Sequence, residues 1–255
     1  MFQLVSRPSL IWLLSEPGRA LMELGASYPY QKIFNKDIEG DGHPVMILPG
    51  FLSGEKSTKL LRDYISNLGY DVYDWGLGRN MGKLEYMESL LERMDDIYKK
   101  TGRPISLVGW SLGGVFARQI AKERTGITRQ VITLAAPFTG LSEPNNVAWI
   151  YSVLNYGKKV KEVNQTLLDN LPLPAKVPTT AIYSKFDGIV PWRFCMEKTE
   201  DALHQNIEVR SSHIGMGINF SVLSIITDRL LYSKENWTKF KPTGLMNNRI
   251  LYPSL

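Results

Sequence analysis

A doubly wound, mainly parallel α/β sheet is the fold class this 255-residue chain predicts, and three observations predict it. Short apolar runs bounded by Pro, Gly or Asn recur along the chain. Segments with apolar residues at helical spacing separate most of them. One strand pattern passes into one helix pattern through the turn Gly109-Trp110-Ser111-Leu112-Gly113. Strands that alternate with helices pair in parallel through right-handed crossovers and need helices on both faces. The expectation is a single domain over residues 1–255 with about six strands and a small helical insertion.

Taken in order, residues 8–26 predict a helix, with Leu10, Leu13, Leu14, Leu21, Met22 and Leu24 apolar and Pro17-Gly18 interrupting it. His43–Leu48 reads as a strand ending at Pro49-Gly50, and Ser57–Leu68 as an amphipathic helix. Tyr70–Trp75 alternates as a strand. Lys83–Lys100 carries Leu84, Met87, Leu90, Leu91, Met94 and Ile97 on one helical face. Pro104–Val108 is the strand before the serine turn, and Val115–Arg124 the helix after it. Gln130–Ala136, Thr179–Ser184 and Asn206–Arg210 supply three more strands, Glu197–His204 reads as a helix, and Phe220–Tyr232 predicts the last helix. Residues 138–178 exceed an ordinary crossover, and Val147–Leu154 is apolar nearly all round. That span is either a lid or cap over a site at the sheet's carboxyl edge, or a crossover helix with a ragged loop.

An apolar content of 44 % and a charged content of 22 % are ordinary for a globular domain, and the net charge of +5 is dispersed. No basic block or motif points to nucleic acid, and no Cys/His or carboxylate cluster has the spacing of a metal site. No cofactor loop is present: Gly76-Leu77-Gly78-Arg79-Asn80-Met81-Gly82 lacks the Gly-Lys-Ser/Thr ending of a phosphate loop. It reads instead as a pocket wall in which Arg79 or Asn80 braces a neighbouring loop, or as a plain turn. The single cysteine, Cys195, excludes an internal disulfide and fits a reducing compartment, with cytoplasmic residence the default. No run is long and apolar enough for a membrane span, and the amino-terminal apolar stretch is too short for a signal core.

The candidate chemistry lies at Ser111. Gly109 and Gly113 bracket it because a sharp strand-to-helix turn tolerates no side chain close by, and such a turn lifts a hydroxyl clear of the sheet edge. A serine hydroxyl attacks a carbonyl only when a base takes its proton. Of three histidines, His213 follows a predicted strand and so shares the rim of Ser111; His204 is expected on a surface helix, and His43 at the opposite rim. Asp187, just past the Thr179–Ser184 strand, is the carboxylate expected to orient His213; Asp169 and Asp201 follow no strand. The developing oxyanion needs two backbone N–H groups. One is expected from Leu112; the other comes from the loop Pro49–Gly54, with Phe51 favoured and Leu52 the fallback. Leu52, Trp110 and Trp149 are expected to line an apolar acyl pocket.

With those residues in view, the chain resembles the α/β-hydrolase superfamily. The match rests on Gly109–Gly114, Pro49-Gly50-Phe51, Ser184–Pro191 and Ser212–Met216, and covers roughly residues 43–215. It looks most like bacterial lipase- and esterase-like proteins, including the branch related to GPI-inositol deacylases. In place of the His-Gly of many lipases it has Pro49-Gly50. The resemblance implies hydrolysis of small-molecule or lipid-like carboxylic esters through an acyl-enzyme, without a cofactor. Acyl transfer or thioester cleavage on the same residues, and a catalytically silent binding protein, are the alternatives.

Overall fold

The computed structural model describes residues 8–34, 39–83, 85–140, 169–242 and 249–255. Six strands form one sheet in the order β2-β1-β3-β4-β5-β6: β1 Pro44–Leu48, β2 Asp71–Asp74, β3 Ile105–Trp110, β4 Thr128–Leu134, β5 Thr179–Tyr183 and β6 His204–Glu208. Every pairing is parallel. Among the described residues the longer helices are α1 Leu10–Phe34, α2 Lys59–Asn67, α3 Tyr86–Thr101, α4 Leu112–Glu123 and α5 Phe220–Leu230.

Alternation within buried strands divides the core. Met46, Leu48 and Leu107 pack with Leu90 and Met94 of α3 and with Phe116 and Ile120 of α4. Val45, Ile47, Val108 and Ile132 face the other way, against Leu61 and Ile65 of α2 and Val222 and Ile226 of α5. Parallel strands buried on both sides read as continuous apolar runs, which is why β1 and β3 were visible without a polar face.

The strand order reverses its direction of winding at β1. The chain goes from β1 out to β2, then crosses back to β3 on the other side of β1. The loops after β1 and β3 therefore part at a switch point, where open α/β sheets place their ligands. Three non-glycine residues among those described have positive φ: Leu52 (58°), Ser111 (52°) and Ala135 (48°). They follow β1, β3 and β4, so the local backbone strain gathers on one rim.

Two expectations fail. The helix expected over Glu197–His204 is absent, and His204 opens β6 as a buried residue. The Glu197 N–H donates to Asn206 Oδ1 (2.7 Å), the Glu197 carbonyl accepts from Asn206 Nδ2 (3.0 Å), and the Glu197 carboxylate pairs with the buried Arg118 of α4. Those ties hold the segment open. The Pro17-Gly18 interruption also fails to appear, because α1 runs through both residues to Phe34. The insertion expected at 138–178, with Val147–Leu154 and Trp149, lies mostly outside the described residues.

The outer edge of β6 is covered by the carboxyl-terminal tail. Gln205 exchanges hydrogen bonds with both main-chain groups of Phe240 (2.6 and 3.1 Å), and the Glu208 N–H donates to Ser254 Oγ (2.9 Å). A covered edge cannot pair with a foreign strand.

Candidate active site

Ser111 joins β3 to α4 with φ 52° and ψ −123°, a combination that costs an L-residue roughly 1–3 kcal/mol. Surroundings impose it. Its N–H donates to the Leu134 carbonyl (2.8 Å), and its carbonyl accepts from the Gly114 N–H (2.9 Å). A Cβ on Gly113 would stand 2.2 Å from the Leu48 carbonyl oxygen, and one on Gly109 would stand 2.4 Å from Gly114 Cα. Only bare glycines let α4 approach β1 and β3 this closely.

That approach brings the loop after β1 to the serine. A Cβ on Gly50 would lie 3.3 Å from Ser111 Cβ. Leu112 opens α4, where N–H groups have no intrahelical acceptor. The Leu52 N–H donates to the Asn80 carbonyl (2.7 Å) and is therefore occupied; the Phe51 N–H donates to no backbone group among the described residues. The arrangement favours Phe51 over its neighbour as a donor to an incoming oxyanion. Asn80 braces the loop from below: besides the bond from Leu52, its N–H donates to the Ser53 carbonyl and its Nδ2 to the Pro49 carbonyl, both at 2.8 Å. The glycine-rich stretch thus fits the bracing reading made from its sequence.

Asp187 and His213 sit past the carboxyl ends of β5 and β6. His213 Nδ1 and Asp187 Oδ2 are 2.6 Å apart, and both side chains are buried. Asp187 Oδ1 accepts from the N–H groups of Ile189 (2.8 Å) and Val190 (2.7 Å), which fixes the carboxylate plane. Burial alone would depress the imidazole pKa. The charge and hydrogen bond of Asp187, then the charge of Glu16, outweigh it and hold the ring above the ordinary 6.5. Trp110, beside Ser111, donates its indole N–H to the His213 carbonyl (3.1 Å) with ring centroids 6.1 Å apart. This expected pocket residue ties β3 to the histidine loop. Leu52 is 45 % exposed, and Phe51 packs partly buried against the α3/α4 core.

The other two histidines have both ring nitrogens engaged. His204 meets Asp201 Oδ1 (2.7 Å) and the Ala175 carbonyl (2.9 Å), and it is buried rather than on the surface. His43 meets Asp41 (2.5 Å) and Ser106 Oγ (2.8 Å), an Asp–His–Ser hydrogen-bond chain at the opposite end of the sheet. His43 and Ser106 are wholly buried there, closed to any substrate. His213 alone among the three keeps a ring nitrogen, Nε2, without a hydrogen-bond partner among the described residues. Cys195 is buried, and burial, aided by the Asp187 charge, pushes its thiol pKa well up, as befits a structural residue.

The sequence predicts a helix over residues 8–26 but gives it no part in the site. Buried Glu16 accepts from the Gly188 N–H (2.8 Å) with one oxygen and from the Ile214 N–H (3.0 Å) with the other. One carboxylate thus clamps the residue after Asp187 to the residue after His213. Glu23 accepts from the Ser212 N–H (2.7 Å) and Ser211 Oγ (2.6 Å), while Arg19 donates to the Phe186 carbonyl (2.8 Å). A signal existed: Glu16, Arg19 and Glu23 are the only charged residues between positions 10 and 31, and their spacing puts them on one helical face.

No model of a protein family and no curated protein matches the sequence. Solved structures do match. Over 86 % of its length the chain is similar to Aspergillus fumigatus lipase B, with a TM-score of 0.61 and 17 % identity, and it spans 60 % of that lipase. Paleococcus ferrophilus monoacylglycerol lipase matches over 75 % of this chain and 96 % of its own (TM-score 0.54, 15 % identity). The thioesterase domain from the curacin biosynthetic pathway matches over 75 % and 92 % (TM-score 0.53, 14 % identity). At such identities the likeness establishes architecture, and the chain has the α/β-hydrolase fold.

Proposed function

We propose that the protein is a serine hydrolase that cleaves carboxylic esters with an apolar acyl group through an acyl-enzyme. The observation that carries the reading is the buried Asp187–His213 pair on the same rim as a serine held at φ 52°. In this reading His213 Nε2 takes the Ser111 proton as Oγ bonds to the ester carbonyl carbon. The carbonyl oxygen becomes an oxyanion, held by the N–H groups of Leu112 and Phe51. Loss of one such donor typically slows turnover by about 10²–10³-fold. Collapse breaks the bond to the alcohol oxygen, which leaves with the proton from His213. Water then attacks the acyl-serine by the same route and releases the acid.

Thioester cleavage or acyl transfer on the same residues is the second reading, and the likeness to a thioesterase domain favours keeping it. Among the described residues no helix is long and apolar enough to cross a membrane. The test uses p-nitrophenyl butyrate and octanoate beside the matching acyl thioesters, with a fluorophosphonate probe for Ser111. Ester turnover and labelling should both vanish in Ser111→Ala. Turnover that survives the substitution, or a wild-type protein that neither turns over nor labels, overturns the proposal.

A further inference from the structure

The polarity of α1 is inverted. Its charged residues Glu16, Arg19 and Glu23 all turn inward to the loops of Asp187 and His213. Its outer face carries Leu10, Ile11, Leu14, Leu21, Met22 and Tyr28, each between 64 % and 81 % exposed. No exposed position of the helix over residues 10–29 holds a charged side chain. An uninterrupted apolar face of this kind on a soluble domain marks a surface that is covered when the protein works.

We infer that α1 lies in the plane of an anionic lipid surface, its outer face sunk among the acyl chains and its carboxylates anchored in the domain behind it. Two observations favour lipid over a second copy of the chain. Arg210 is exposed beside Phe186, whose ring packs at 5.2 Å against Trp12 of α1, and its guanidinium lies 5.9 Å from the Phe186 ring. It stands where a phosphate headgroup would meet it. The net charge of +5 attracts an anionic surface and opposes an equally positive partner. The seat also has a consequence for the site, because α1 is about 10 Å thick. A bilayer on its outer face would lie one helix diameter from the loops of Asp187 and His213.

The test is sedimentation with phosphatidylcholine vesicles with and without phosphatidylglycerol, using Ser111→Ala protein so that binding is read apart from hydrolysis. Binding should be present and stronger on the anionic vesicles. Leu14→Glu and Leu21→Glu together should weaken it by at least about tenfold while the melting temperature holds. A Met22→Cys protein labelled with an environment-sensitive dye should shift to the blue on vesicles and be quenched by brominated acyl chains; the buried Cys195 should not compete for label. Protein that stays in solution, equal binding by the glutamate variant, or a dimer that this variant dissolves without vesicle binding would each overturn the inference. None of these outcomes touches the hydrolytic reading.

Discussion

Replacing Ser111 by glycine and by alanine separates the strain at the turn from the chemistry of the hydroxyl. Alanine removes the oxygen and keeps the Cβ at φ 52°, ψ −123°; glycine removes both the oxygen and the steric conflict. Strain of about 1–3 kcal/mol is relieved only in the glycine variant, against about 0.5–1 kcal/mol of extra freedom in its unfolded chain. Ser111 is only partly buried, so the missing Cβ leaves little void. Ser111→Gly should therefore be more stable than Ser111→Ala by about 1 kcal/mol, or about 2–4 °C in melting temperature for a domain of this size. Both should be inactive on p-nitrophenyl esters. Paired thermal or urea unfolding decides the matter: a glycine variant no more stable than the alanine one would show that the turn stores no strain.

Two further outcomes follow from charges. His213 must be neutral to act as a base, so kcat/KM should rise with pH through a value above 6.5; Glu16→Gln removes a raising charge and should move that acid limb to lower pH, and an unmoved limb would sever Glu16 from the site. His43 is pushed down to about 4, first by burial and then by the Arg129 charge, with Asp41 pulling the other way. The fold favours its neutral form, so that stability is present above the unfolded value of 6.5 and lost as pH falls toward about 4, about 3 kcal/mol in all. Urea midpoints across this window should fall less in His43→Gln, whose ester hydrolysis should match wild type; equal slopes would refute the assignment.

Local signals made the strand–serine–helix unit legible, since the glycines around Ser111 stand adjacent in sequence even though Gly113 answers to the remote Leu48 backbone. Asp187 and His213 were legible by position, because a parallel sheet sends every strand's carboxyl end to one rim. His204 misled because β6, His204-Gln205-Asn206-Ile207-Glu208, is polar at four of five positions. Those polar groups are satisfied by partners distant in sequence, with Gln205 on Phe240 and Asn206 on Glu197. No periodicity within the segment announces such pairing. The Asp41–His43–Ser106 chain shows the limit from the other side. It has the residue types of a nucleophile–base–carboxylate set, yet Ser106 lies inside β3 and both it and His43 are wholly buried.

The amino-terminal helix is where a pattern rule inverts. Apolar residues at helical spacing are read as the face that packs on a core, and for α1 that reading assigns the inside to solvent. What holds the helix is the opposite stripe, three charged side chains bonded to main-chain groups of the Asp187 and His213 loops. Of these main-chain groups the Gly188 N–H is buried, and leaving it without a partner would cost about 1–3 kcal/mol. The bonds therefore fix α1 to the domain strongly enough to leave its apolar face outward. A helix secured this way also cannot shift without disturbing the backbone on either side of the Asp187–His213 pair. Whatever covers its outer surface is thereby coupled to the geometry on which the proposed proton transfer from Ser111 depends.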